Sequence, residues 1–284
     1  MSELSMMILC GRSPRHVYVA NRLCRSGKVL AIVQETGSDR SLNKIIKLLR
    51  RPSMLMRKAW RWLRDRRRYT GGGEGKFFFG DRPPVLDRPD LVNEVPHINH
   101  PDVTALADRL APDIIAVFGT SLIRGPLLER GRLGIVNLHG GLSPQYRGAD
   151  CTFWALYNRE PEMVGCTLHY INAGIDTGDL IAHVCPEVMK GDDELTLFWR
   201  AVRDSAEIYA EFVARAAAGE RFGQSQPNKG KLYQVKDRGW RHERRLASMM
   251  KDGLLREVQL PKRVVWFQTE SSRQPADERI YIDA

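Results

Sequence analysis

The feature that most restricts the fold of this chain is a repeated alternation of short apolar runs with helix-length segments. Residues 5–10, SMMILC, read as a strand, residues 11–14 as a turn and residues 16–25 as a helix closed by Gly27; VLAIVQ, residues 29–34, is a second strand. A crossover helix of this length lays its two strands side by side in parallel. The pattern resumes with a helix at 102–110, the apolar strand IIAVF at 114–118, a helix at 122–130 and a strand at 134–138. It continues with a helix at 149–158, strands at 165–171 and 180–184, and a long helix at 195–218 ended by Gly219. The expected fold class is α/β: a Rossmann-type, mostly parallel sheet with helices on both faces. The first turn, GRSPRH, lacks the glycine spacing of a dinucleotide fingerprint, which argues against NAD.

Two segments stand apart from this alternation. Between Asp39 and Thr70 lie twelve Lys or Arg and two acids, an excess equal to the net charge of +10 on all 284 residues. The basic character therefore belongs to one insertion, about residues 39–70, and not to the whole surface, so charge alone makes a poor case for a nucleic-acid partner. Within it, residues 41–68 carry apolar residues at helical spacing on either side of Pro52: Leu42, Ile45, Ile46 and Leu49, then Leu55, Ala59, Trp62 and Leu63. Three readings stand: a solvated helical pair whose apolar stripe covers the core while the basic side chains face water, a lid that attracts an anionic substrate, and a peripheral membrane-surface segment marked by Trp60 and Trp62. The following TGGGEGKFFFGDRPP reads as a glycine-rich link. From residue 221 the composition turns basic and aromatic, with strand signals in GKLYQV and RVVWFQ. The expected division is therefore a domain over residues 1–220 and a small C-terminal α+β element over 221–284, whose aromatics (Tyr233, Trp240, Trp266, Phe267, Tyr281) are suited to a satellite core or to ring stacking.

Five cysteines without any Cys-x-x-Cys pair support neither a zinc site nor a disulfide framework, and no metal is expected. No apolar run reaches the roughly 18 residues that would cross a bilayer, and the first apolar run is too short for a secretory signal. A cytoplasmic location is the expectation. Oligomeric state is not legible.

The chemistry concentrates in VNLHGGLSPQYRG, residues 136–148. Asn137 and His139 are two apart near the carboxyl end of a strand, so both project to one face, and crevices in open parallel sheets lie beyond those carboxyl ends. Downstream, NAGIDTGDLI offers Asp176 and Asp179 in a glycine-punctuated loop. If the preceding strand neighbours the Asn-His strand, one aspartate reaches the histidine, raises its pKa and favours imidazolium. Imidazolium and the Asn137 amide would then stabilise an oxyanion at a carbonyl. His169, alternating within its strand, reads as a packing residue, and Arg147 as an anchor for the loop.

GRLGIVNLHGGLSPQYRGADCTFWALYNRE, followed by VGCTLHYINAGIDTGDLI, resembles the core of the formyltransferase family, densely over about residues 111–181. The ordered Asn-x-His, Leu-x-Pro-x-x-Arg-Gly and Asp-x-Gly set carries the likeness; where the family usually reads Ser-Leu-Leu-Pro, this chain reads Gly141-Leu142-Ser143-Pro144. The resemblance implies a formyltransferase-like fold and transfer of a formyl group from 10-formyltetrahydrofolate to an amine. It implies Asn137, His139 and Asp176 as the catalytic residues, Asp176 being the one of the two aspartates that matches. It implies that the pterin lies against Phe118, Gly119, Thr120 and Leu122 and against Ala173 and Gly174. The overall plan is nearest the sugar N-formyltransferases, so a small anionic acceptor, a nucleotide-linked amino sugar, is expected, with nucleic acid disfavoured. The alternatives are another acceptor amine (N-hydroxyornithine-like or methionyl-tRNA), hydrolysis of the formyl donor, or a non-catalytic basic binder of nucleic acid or membrane.

Overall fold

The computed structural model describes residues 3–37, 52–69, 72–227 and 230–269. The opening unit is β1 (Ser5–Cys10), α1 (Pro14–Cys24) and β2 (Lys28–Glu35), with Pro14 starting the helix where no intrahelical N–H is needed. There follow α2 (Pro52–Tyr69), α3 (Gly73–Phe79), β3 (Val92–Val95), α4 (Pro101–Leu110), β4 (Ile114–Phe118) and β5 (Ile135–His139). The chain continues through β6 (Tyr146–Gly148), α5 (Cys151–Tyr157), β7 (Cys166–Tyr170), β8 (Leu180–Cys185) and α6 (Glu194–Ala217). It closes with β9 (Lys231–Tyr233), α7 (Trp240–Lys251) and β10 (Arg263–Trp266).

Eight strands form one sheet in the order β10-β8-β7-β5-β4-β1-β2-β3. From β3 to β5 neighbours are parallel, as the crossover helices require; β7, β8 and β10 add antiparallel pairings. Alternation along each strand feeds two cores. Met6, Ile8 and Cys10 join the side covered by α1 and α6, with Leu23, Tyr209 and Phe212; Met7 and Leu9 join Val103 and Ala107 of α4 on the other side. Each of the Met, Leu, Ile, Val and Phe side chains among these, essentially out of water, contributes about 1.5–3 kcal/mol.

Several expectations need correction. The glycine-rich stretch after the basic insertion is not a loose link: Gly73–Phe79 is helical, Phe78 is buried against Tyr18, and Glu74 pairs with Arg15 at 2.7 Å. Three consecutive phenylalanines pack against α1 and α6, and that burial outweighs the poor helix propensity of glycine. The helix expected at 122–130 is only a 3-10 turn, Gly125–Glu129. Strand β3 and helix α7 are additional. The expectations at residues 41–51 and at Tyr281 lie outside the described residues.

The C-terminal strands pack against elements from the rest of the chain. β10 extends the main sheet along β8, and β9 pairs in parallel with β6, the strand just after the Asn-His segment. Tyr233 is buried between Tyr146 and Trp154, stacked on both. Among the described residues no helix is long and apolar enough to cross a membrane.

Candidate active site

Strands β5 and β7 pair antiparallel, with Asn137 opposite His169 and His139 opposite Thr167. Directly opposed residues share a face, so these four side chains point the same way, while Val136, Leu138, Cys166 and Leu168 enter the core on the other side. Asn137 donates from Nδ2 to Nε2 of His169 across 3.2 Å, and the His169 Nδ1–H is bonded to the Tyr170 carbonyl at 2.8 Å. His169 was expected merely to pack; it instead sets the orientation of the Asn137 amide, leaving the second amide hydrogen for another acceptor. Its position opposite Asn137 depends on strand register, which local sequence does not reveal.

After β7 the chain doubles back and brings Asp176 over this face. The residue sits in the left-handed region, φ +50°, where aspartate is tolerated better than most side chains. Its Oδ2 lies 3.4 Å from His139 Nδ1 and accepts the Gly148 backbone N–H at 2.8 Å; its Oδ1 lies 3.6 Å from His169 Nε2. Gly148 has φ +89°, and a Cβ there would collide with the Tyr233 carbonyl on β9, so only glycine allows this N–H to reach the carboxylate. Arg147 binds the Ile175 carbonyl at 3.1 Å and the Gly230 carbonyl at 2.9 Å, tying the Asp176 loop to the C-terminal segment. Asp179 is exposed and accepts from Ser225 at 3.2 Å, away from the histidines.

The His139 ring is buried, with Nε2 donating to the Tyr146 carbonyl at 3.1 Å and Cys151 Sγ 3.6 Å from the same nitrogen. Burial is the larger influence and pulls the His139 pKa below its ordinary value; Asp176 opposes this without overcoming it. Burial thus opposes the imidazolium that the carboxylate at Nδ1 favours. Burial also works against ionisation of Asp176, yet His139, His169 and the Gly148 N–H together outweigh it and hold the carboxyl below its usual range. Burial likewise pushes the Cys151 thiol well up, so it is a neutral neighbour of the ring rather than a nucleophile.

The segments expected to hold the pterin flank this face. Phe118 is buried edge-on to His16, ring centroids 5.0 Å apart, and Gly119 has φ +75° with a Cβ position filled by the His16 ring. Thr120 is half-buried; Leu122, Ala173 and Gly174 are exposed. His16 is itself buried, with Nδ1 lacking any hydrogen-bond partner, and burial lowers its pKa to about 3.

On the other flank, Gly140 packs against Phe198 of α6, and the Arg15 guanidinium lies 5.7 Å above that same ring. Arg15 borders a cavity of about 640 Å³, open to solvent, whose charged lining is Arg15, Lys76, Arg82, Glu74 and Asp81. A separate ionic cluster is centred on the buried Arg238. Arg238 is bonded to Asp150 at 2.9 Å, Glu194 at 3.0 Å and Glu243 at 2.7 Å, with its guanidinium 3.8 Å over Phe153; Arg68 of α2 also binds Glu194.

The family model described as Formyl transferase matches residues 88–213, which include all of these strands from β3 to β8. The methionyl-tRNA formyltransferase of Chlorobium chlorochromatii is 31% identical over 127 residues, 45% of this chain and 40% of that protein. The chain thus spans about two-fifths of the length of this curated relative. Among solved structures, a sugar N-formyltransferase from Shewanella aligns over 96% of this chain and 99% of its own with TM-score 0.52 at 13% identity. A 4-N formyltransferase from Francisella tularensis aligns over 82% and 77% with TM-score 0.53 at 12% identity. These two likenesses are of fold. The likeness to the formyltransferase family is carried by the core matched over residues 88–213 and by the sequence relative.

Proposed function

We propose that this protein is an N-formyltransferase that moves a formyl group from 10-formyltetrahydrofolate to the amine of a small, anionic acceptor, a nucleotide-linked amino sugar. The observation that carries the reading is the convergence of Asn137, His139 and Asp176, distant in sequence, on one face of β5 and β7. The folate supplies the acyl carbon when bound. Its expected binding segments suit such a donor: Leu122, Ala173 and Gly174 are exposed, and His16 Nδ1 beside Gly11 is a buried hydrogen-bonding atom without a protein partner.

The chain's own residues divide the work. Asn137, one amide hydrogen held by His169, directs the other at the oxygen on which negative charge develops as the acceptor nitrogen bonds to the formyl carbon. His139 takes the proton shed by that nitrogen on Nδ1, Nε2 being held by the Tyr146 carbonyl, and returns it to the departing amine. Asp176, ionised, stabilises the imidazolium formed in passing and holds the ring in place. No protein nucleophile is needed because the acceptor brings its own.

The cavity beside Arg15 supports a small acceptor: about 640 Å³ is within the range of small-molecule sites, and Arg15, Lys76 and Arg82 suit phosphate oxygens. The test is a panel of amines, including nucleotide-linked amino sugars, simple amines and aminoacylated tRNA, incubated with 10-formyltetrahydrofolate and scored by the mass gain of one formyl group. Formylation of an anionic amino sugar is the expected result. Formylation of tRNA alone, or release of formate without any acceptor, overturns the assignment of substrate or of transfer.

A further inference from the structure

Helix α2 presents its two sides the opposite way round from an ordinary surface helix. Leu55, Ala59, Trp62 and Leu63 fall at i, i+4, i+7 and i+8, a single apolar arc with Met56 at its edge beside Leu63. Of the three readings of this segment, the solvated helical pair requires such an arc to lie on the core, with charges toward water. In the structure Met56 is 73% and Trp62 61% exposed, and Leu55, Ala59 and Leu63 are exposed as well. Arg64 and Arg68 on the other side turn inward, toward Glu194 and Glu243, with side chains 12% and 18% exposed. The reason is electrostatic. Three acids, Asp150, Glu194 and Glu243, surround Arg238, and the inner arginines of α2 complete the neutralisation of that cluster. Pairing the arginines inward obliges the apolar arc to face outward.

A contiguous exposed apolar face of this kind marks an interaction surface. Its fringe is cationic: Lys58 and Arg66 are exposed, and the Arg66 guanidinium lies 5.1 Å from the Trp62 ring centroid. An indole flanked by cations on an apolar helix face matches the boundary between phospholipid headgroups and acyl chains. A phosphate backbone of RNA or DNA would need an outward row of cations, and here Arg64 and Arg68 are already spent on carboxylates. A twofold contact with a second copy would bring Lys58 and Arg66 toward their own counterparts.

We propose that the outward face of α2 docks on an anionic phospholipid bilayer, with Met56, Trp62 and Leu63 entering the acyl boundary and Lys58 and Arg66 meeting the headgroups. The contact is peripheral, and it is independent of which amine the site formylates.

The experiment is co-sedimentation of the full chain with vesicles of phosphatidylcholine mixed with phosphatidylglycerol, against phosphatidylcholine alone, with Trp62 fluorescence followed in parallel in a series where the other tryptophans are controlled by Trp62→Ser. Binding to the anionic vesicles is expected, weakening as salt rises. The double variant Met56→Ser/Trp62→Ser should lower the partition coefficient at least about tenfold, and Lys58→Glu/Arg66→Glu should remove the preference for anionic lipid. All four side chains are exposed, so thermal midpoints should stay at the wild-type value. Equal sedimentation of wild type and both variants overturns the proposal. So does an apolar-face-dependent dimer seen by light scattering without vesicles, or tRNA binding that is lost in the charge variant while vesicle binding is absent.

Discussion

Gly148 donates its backbone N–H to Asp176 Oδ2 over 2.8 Å, and the same oxygen faces His139 Nδ1 at 3.4 Å. One carboxylate oxygen thereby joins the end of β6, the loop after β7 and the end of β5. Asp176→Asn keeps an acceptor for the Gly148 N–H but removes the charge. We expect kcat/KM for formyl transfer to fall about 10³-fold with the fold intact by circular dichroism. Because Asp176 opposes the effect of burial on His139, the His139 pKa read by NMR should move further down in the variant. Wild-type turnover would remove Asp176 from the reaction.

His169→Phe preserves the ring volume on β7 and deletes the acceptor that orients Asn137. A misdirected amide should cost about 10- to 100-fold in kcat, with KM for both substrates little changed. If His169 only packs, kcat should hold and the thermal midpoint should fall instead. Steady-state kinetics beside a melting curve separate the two.

Acid should unfold this protein early, and the sign follows from three histidines. Burial lowers the pKa of His16 to about 3 and of His183 to about 4, and it lowers that of His139. Each is neutral when folded and binds a proton more readily when unfolded, at its ordinary value near 6.5. Stability is therefore fully present above that value and is lost as pH falls toward the folded values, at up to about 1.4 kcal/mol per group per pH unit. The depressed Asp176 adds loss in the same direction at lower pH. Denaturant midpoints from pH 7.5 to 4.5 should decline, and His183→Gln should flatten the decline. A flat profile over that range would contradict the burial of these rings.

Arg238→Met replaces a buried cation by an apolar side chain of similar length and leaves Asp150, Glu194 and Glu243 converging without their central partner. Breaking such a cluster from one side costs about 3–5 kcal/mol, to be read from urea unfolding. The loss should shrink when Glu194→Gln is combined with it, because one uncompensated charge then disappears.

How much of this was legible in sequence can be judged from particular residues. The opening β1-α1-β2 unit and the apolar strands β4 and β5 were readable because period and burial coincide there: every residue of β4 is buried, as its uninterrupted apolar run implied. Asn137 and His139 were placed on one face by their spacing alone. The selection of Asp176 over Asp179 came from the family pattern, and the structure puts Asp176 against His139 while Asp179 turns to Ser225. The glycine-rich α3 was misread because its helix depends on Phe78 finding Tyr18 and Glu74 finding Arg15, contacts between segments far apart in the chain.

The sequence by itself determined the alternation of elements, the parallel pairing of the first strands and which residue types end β5, because these depend on local periodicity and crossover geometry. Only the tertiary structure decided the β5–β7 register that sets His169 opposite Asn137, the balance in which burial outweighs a nearby carboxylate at His139, and the side of α2 that faces water. The physical reason is common to the three: register, desolvation and charge neutralisation are sums over neighbours contributed by distant parts of the chain, and no window of sequence contains them.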